Sequence, residues 1–272
     1  MRSGCIAACL VSLVLATAVE AQWPWQRGFR TRPRFPAADS FDGRFNFCRL
    51  MYENTRREAG GQGWSTDYPS ADINFSIRLS ELTRIRVSVG EHGRPNHFVV
   101  QPRDPLMFQC PWMLASDVGT ASFAEDEAEH LRAYLLKGGF LWVDDFWGSR
   151  AWEHWAREIA KVLPPGEFPI ADVPRDHPIL RTMFDVEHVP QIPSIQFWRQ
   201  SGGLTSERGS DSATAHLRAI TDRDGRIMVL MTHNTDISDA WEREGEDPAF
   251  FYAFSPGGYA LGIDVMMYAM TH

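Results

Sequence analysis

Three stretches of this sequence carry side chains whose types and spacing could do chemistry. The first is Asp144-Asp145, which follows the apolar run 140–143 and precedes Phe146-Trp147-Gly148. Adjacent strand residues point to opposite faces, so the two carboxylates are not expected to act as one pair. Asp145 is expected to face a crevice. The other reading makes both residues turn and helix-cap positions. The second stretch is His233-Asn234-Thr235-Asp236, followed by Asp239, Trp241 and Glu242. An imidazole among oxygen ligands suits a divalent metal or a general base. Asp236 or Asp239 as the N-cap of a helix entry is the plainer alternative. The third is Trp64-Ser65-Thr66-Asp67-Tyr68-Pro69. An aromatic ring flanked by hydroxyls and an acid can stack on and hydrogen-bond a sugar or peptide. It can equally form a rigid turn before a helix.

These stretches give a working set. Asp145 and Asp236 are the candidate bases or metal ligands, and His233 is the candidate proton shuttle. Trp64, Asp67, Tyr68, Asp144, Trp147, Asn234, Asp239, Trp241 and Glu242 are the candidate ligand-binding residues. No motif requires a cofactor, and a divalent metal is the one group the residue types would suit. There is no GxSxG, Walker A or GxGxxG motif. Ser116-Asp117 follows an apolar run but lacks the partner spacing of a nucleophile. His177, beside Pro178, reads as structural.

Positioning these residues takes an alternating set of strands and helices. Residues 45–52 read as a strand, followed by the loop Gly60-Gly61-Gln62-Gly63. A helix fits 70–82, with Ser70 as N-cap and Ile73 and Ile77 on its inner face. Ile85, Val87 and Val89 alternate as a strand, and 98–100 and 112–115 read as two more. A helix over 122–137 is signalled by Ser122 and Glu125 as a capping box, by the acids of its first turn, and by Gly138 at its end. Strand 140–143 and a helix marked by Trp152, Trp155, Ile159 and Val162 follow. Then come a hairpin, 217–221 with 226–232, and a closing helix over 259–270. This order is the grammar of a mostly parallel α/β sheet with helices on both faces, in one domain over 44–272. Ligands in such folds collect outside the carboxyl ends of the strands.

The 272 residues are 44% hydrophobic and 23% charged, which suits a globular protein and excludes a mainly disordered one. Acids outnumber bases 35 to 27, and no long basic tract exists, which argues against nucleic-acid binding. Residues 1–21 read as a secretory signal, with Arg2, an apolar stretch and cleavage expected after Ala21. A retained N-terminal anchor is the alternative. No later apolar run reaches the roughly 18 residues of a membrane span. The expected location is therefore periplasmic or secreted. Residues 22–43, with three prolines and four closely spaced arginines, read as a linker that either is solvated or docks on an anionic surface. After cleavage Cys48 and Cys110 remain, either as buried thiols or as a disulfide.

Several runs together resemble one family. They are Trp64-Ser-Thr-Asp-Tyr-Pro69 through Asn74, Arg78, Leu79 and Glu81-Leu82-Thr83; residues 135–148; Asp176-His-Pro-Ile179; and residues 233–242. In this order they resemble the bacterial domain-of-unknown-function 4159 family over about residues 45–270. The resemblance implies a fold similar to class I glutamine amidotransferase-like domains, a flavodoxin-like three-layer sandwich. It implies no reaction. Those amidotransferases carry a nucleophilic cysteine on the sharp turn after a strand, and the comparable turn here reads Asp144-Asp145-Phe146-Trp147-Gly148. The expected function is therefore a non-catalytic module that binds a small polar ligand or an envelope protein. A metal- or carboxylate-dependent hydrolase acting on a polar or carbohydrate-like envelope substrate is the alternative. A third reading is an assembly role that uses the arginine-rich linker.

Overall fold

The computed structural model describes residues 32–272. The expected signal segment, its cleavage point and the first part of the linker lie outside the described residues. Residues 33–272 form one compact unit.

Its centre is a seven-stranded sheet. The parallel strands are β1 (Phe47–Leu50), β3 (His97–Val100), β4 (Trp112–Ser116), β6 (Phe140–Phe146) and β9 (Ile227–His233). Their spatial order is β3-β1-β4-β6-β9. Strand β8 (His216–Thr221) pairs antiparallel with β9, and β7 (Ala171–Asp172) closes the edge against β8. A short pair, β2 (Glu53–Asn54) and β5 (Ala121–Ser122), lies outside this sheet. Among the parallel strands, the second in sequence lies outside the first, and the third, fourth and fifth run the other way. The order therefore reverses between β1 and β4, the place where doubly wound sheets open a crevice.

The parallel strands are buried, with only His97 at the start of β3 half-buried, because helices cover both faces, while the edge strand β7 is exposed. One core packs α1 (Ser70–Leu82), α5 (Asp239–Glu242) and α6 (Pro248–Thr271) around Phe47, Phe75, Trp112, Trp142 and Trp241. The other packs α2 (Glu125–Leu136) and α3 (Gly148–Val162) around Leu131, Leu141, Val143, Trp155 and Met231. The period-two pattern of β6 is visible here. Phe140 and Trp142 face the first core, Leu141 and Val143 the second. A short helix, α4 (Ile195–Ser201), precedes the hairpin.

Several sequence expectations are corrected. Helix α1 has the expected bounds, but its inner face carries Ala71, Asp72, Phe75, Ser76 and Leu79, and Ile77 is exposed. Pro69, not Ser70, sits at its N-cap. Helix α2 starts later than expected, after Ala124, because Ser122 is taken up by the β2–β5 pair. Glu127 caps the helix by accepting from the Ala124 N–H at 3.0 Å. Residues 85–89 form only isolated bridges. Helix α6 begins at Pro248, earlier than expected, where Asp247 accepts from the Ala249 N–H at 2.9 Å. The second part of the expected linker is packed on the domain. Val99 N–H donates to Arg34 O at 2.9 Å, and Phe41 packs against Phe98. Cys48 of β1 and Cys110, just before β4, form a disulfide rather than two free thiols.

Candidate functional site

At the carboxyl ends of the parallel strands the chain turns sharply and leaves acids on each turn. The segment after β1 carries Asp67, the turn after β4 carries Asp117, the end of β6 carries Asp145, and the turn after β9 carries Asp236. Three of these four, Asp67, Asp117 and Asp145, have φ between +52° and +63°, and Asn234 beside Asp236 has φ +63°. Left-handed backbone outside glycine is uncommon, and its concentration on one edge is typical of functional sites.

Each turn has a local cause. Between Val143 and Phe146 the register of β6 against β9 slips by one residue, because those positions pair with Met231 and His233. That bulge turns Asp144 into the protein and Asp145 outward. Asp144 is sealed, accepting from Thr232 Oγ1 at 2.6 Å and from the Ser238 N–H and Oγ at 3.0 Å. Asp145 accepts from the Trp147 indole at 3.0 Å and lines the crevice. Asp117 is clamped by the Gly63 N–H at 2.8 Å. Gly61 lies so close that a Cβ there would fall 2.2 Å from Asp117 Oδ2. Asp236 accepts from the Asp239 N–H at 2.9 Å, and Asp239 from the Ile195 N–H at 2.9 Å.

The result is a cavity of about 210 Å³ lined by eight carboxylates and two guanidiniums, Arg208 and Arg243. A third guanidinium, Arg49, is fully buried beneath it but already committed. Arg49 forks onto Asp72 and also donates to Ser116 Oγ and Thr66 O. Burial raises Asp67, Asp117, Asp145, Asp236, Asp239 and Glu242. It pushes Asp145 well above the usual carboxylate range, helped by the charges of Asp67 and Asp117. Burial also lifts Asp236, with Asp145 and Asp67 adding to it, and Asp239, with Asp67 and Glu242 adding to it. Asp117 and Glu242 are pushed up to about 7, chiefly by burial. Asp67 is raised by burial against the pull of Arg49.

Two triplets of ligand atoms lie within 4.8 Å of one another, Asp67–Asp145–Asp236 and Asp67–Asp239–Glu242. Oxygen donors alone suit a hard cation such as Mg²⁺, Mn²⁺ or Ca²⁺. Asp67 belongs to both sets, and its buried Oδ2 has no hydrogen-bond partner.

Residues 46–270 match the family described as Domain of unknown function (DUF4159). The chain belongs to the DUF4159 family. A search of curated proteins finds no match. The match covers the whole seven-stranded sheet and every residue lining the crevice, so the crevice is built entirely from the DUF4159 domain.

Within the DUF4159 domain the expected site residues divide. Asp67, Asp145, Trp147, Asp236, Asp239 and Glu242 line the crevice. Asp144 does not, because Thr232 and Ser238 saturate it. His233 does not meet Asp145 and Asp236. Its ring packs on Phe146 and Trp152, with Nε2 3.1 Å from Gly148 O and Nδ1 3.3 Å from Arg218. Burial depresses it to about 4, which leaves the ring neutral near pH 7. Asn234 is a clamp, accepting from the Gly148 N–H at 2.8 Å and donating to Thr214 O at 2.8 Å. Trp241 is fully buried core. Tyr68 turns away, its hydroxyl accepting from the Arg34 N–H. Trp64 packs on Tyr68 and does not reach the cavity.

The sequence reading missed Glu58, Asp117, Glu207, Arg208 and Arg243. Only Asp117 carried a usable signal, its place directly after an apolar strand. Neither cysteine of the domain can act as a nucleophile while the disulfide stands. The disulfide is consistent with an oxidising compartment. No helix among the described residues is long and apolar enough to cross a membrane.

Proposed function

We propose that this protein is an extracytoplasmic binding module whose crevice takes a small polar ligand bearing positive charge, or one held through a cation. The observation that carries this reading is the excess of acids over arginines around one cavity, with Asp67 Oδ2 buried and unpartnered. Burying a carboxylate without a partner is unfavourable, so an arriving cation gains what the fold leaves unsatisfied. Trp147 supplies an aromatic edge beside Asp145. The site residues of this reading are Asp67, Asp145, Asp236, Asp239 and Glu242, with Trp147 as the aromatic contact. An envelope protein presenting a lysine or arginine would meet the same chemistry.

Titration calorimetry and thermal melting of the purified protein with Mg²⁺, Mn²⁺, Ca²⁺, spermidine and glucosamine test the proposal. A ligand that binds only the folded state raises the melting temperature. The expected result is a shift with at least one cationic probe that disappears in an Asp67→Asn/Asp236→Asn variant. Melting curves unmoved by every probe at millimolar concentration would overturn it.

A further inference from the structure

The two acid triplets differ in one respect that decides what each can hold. Arg243 lies over the Asp67–Asp239–Glu242 set, with its Nε 2.8 Å from Glu242 and 3.6 Å from Asp239. That set carries its own counter-charge. Among the described residues no lysine or arginine forms an ion pair with Asp67, Asp145 or Asp236, and Arg49 is spent on Asp72. We propose that the Asp67–Asp145–Asp236 triplet is a site for a single hard divalent cation, with Arg243 standing where a second cation would otherwise sit. This inference deepens the reading above and rests on it.

The geometry fits. Oxygens bound to one ion at about 2.0–2.6 Å lie at most about 4–5.2 Å apart, and the three carboxylate atoms, all within 4.8 Å of one another, fall within the reach of the longer bonds. Asp67 is 7% exposed, lines the cavity and leaves Oδ2 without a donor. Asp145 and Asp236 each have one oxygen oriented by a protein donor, Trp147 Nε1 and the Asp239 N–H. Such contacts fix a ligating carboxylate and leave its other oxygen for the ion. The three acids come from three different turns, after β1, at the end of β6 and after β9, so a bound ion would tie those turns together. The cavity beyond it is open to water or to oxygen atoms of a polar ligand.

Mn²⁺ is the direct probe, because its electron paramagnetic resonance signal falls on binding, and calorimetry gives the stoichiometry. The wild-type protein should bind one Mn²⁺, displaceable by Mg²⁺ or Ca²⁺. Asp145→Asn and, independently, Asp236→Asn should weaken binding at least about 100-fold. Glu242→Gln, in the set that Arg243 already neutralises, should weaken binding less than either aspartate substitution. Circular dichroism confirms that each variant is folded. No Mn²⁺ binding at 1 mM (~1 mM being the weak end of protein cation sites), two equivalents bound, or a site lost in Glu242→Gln but kept in Asp145→Asn would each overturn the inference. If spermidine or glucosamine shifts the melting temperature while no metal binds, this inference fails and the binding reading stands. If neither does, both fail.

Discussion

Asp67, Asp145 and Asp236 repel one another in the metal-free protein, and burial compounds the repulsion by opposing ionisation. A carboxyl whose pKa is higher in the folded than in the unfolded chain favours folding most below the unfolded value, about 3.9. That contribution is lost as the pH rises through the folded value. Asp144 sits at about 6 and Asp117 and Glu242 at about 7. The cluster's contribution to stability in chelator should therefore decline between about pH 4 and 8. Urea midpoints across that range with EDTA would show it, and saturating Mn²⁺ should flatten the decline. For the same reason Asp145→Asn should stabilise the metal-free protein at pH 7.5 by about 1–2 kcal/mol. The amide can still accept from Trp147, and a like charge is gone. A lower melting temperature in EDTA would count against the repulsion. Arg49 gives the opposite case. Arg49→Met strands Asp72 as a buried charge with its partner removed, and should cost about 3–5 kcal/mol in denaturant unfolding.

Strands and turns decide which acids face the cavity, and they also show how far the sequence could be read. The apolar runs at β4, β6, β9 and the hairpin stand out by composition alone, so the sheet and the residues just beyond it were legible. Helix α1 was placed correctly, but its inner face was not. An apolar-only reading cannot foresee that Asp72 turns inward to pair with Arg49. The β6 bulge was equally hidden. It depends on β9 pairing past Asp144, and no local signal near Asp144 and Asp145 reports it. The loop after β1 is where an element-scale test is sharpest. Gly61 approaches Asp117 so closely that Gly61→Ala must move either the loop or the carboxylate. A loss of about 1–3 kcal/mol is expected, together with weaker binding of any crevice ligand. Gly166, where a Cβ would meet nothing and the backbone is not left-handed, provides the control for crowding.

On the scale of the whole molecule, the crevice exists because four strand ends from distant parts of the chain converge where the strand order reverses. Which acids would meet there could not be read locally, since Glu58 and Glu207 come from loops with no motif of their own. It is also why His233, next to the right turn, ends on the α3 side. The Cys48–Cys110 bond closes a 62-residue separation and links β1 to the approach of β4, the two strands that flank the reversal. Closing a loop of that size restricts the unfolded chain by about 4 kcal/mol in the chain-entropy picture. Both cysteines are buried, so reduction requires at least local opening. A Cys48→Ser/Cys110→Ser variant should therefore lose about 2–4 kcal/mol against urea while keeping its far-ultraviolet dichroism. The wild-type protein made in a reducing compartment should melt at the lower temperature of that variant, and oxidation should restore it. If the double variant melts with the oxidised wild type, the bond contributes nothing, and the case it makes for an oxidising compartment lapses with it.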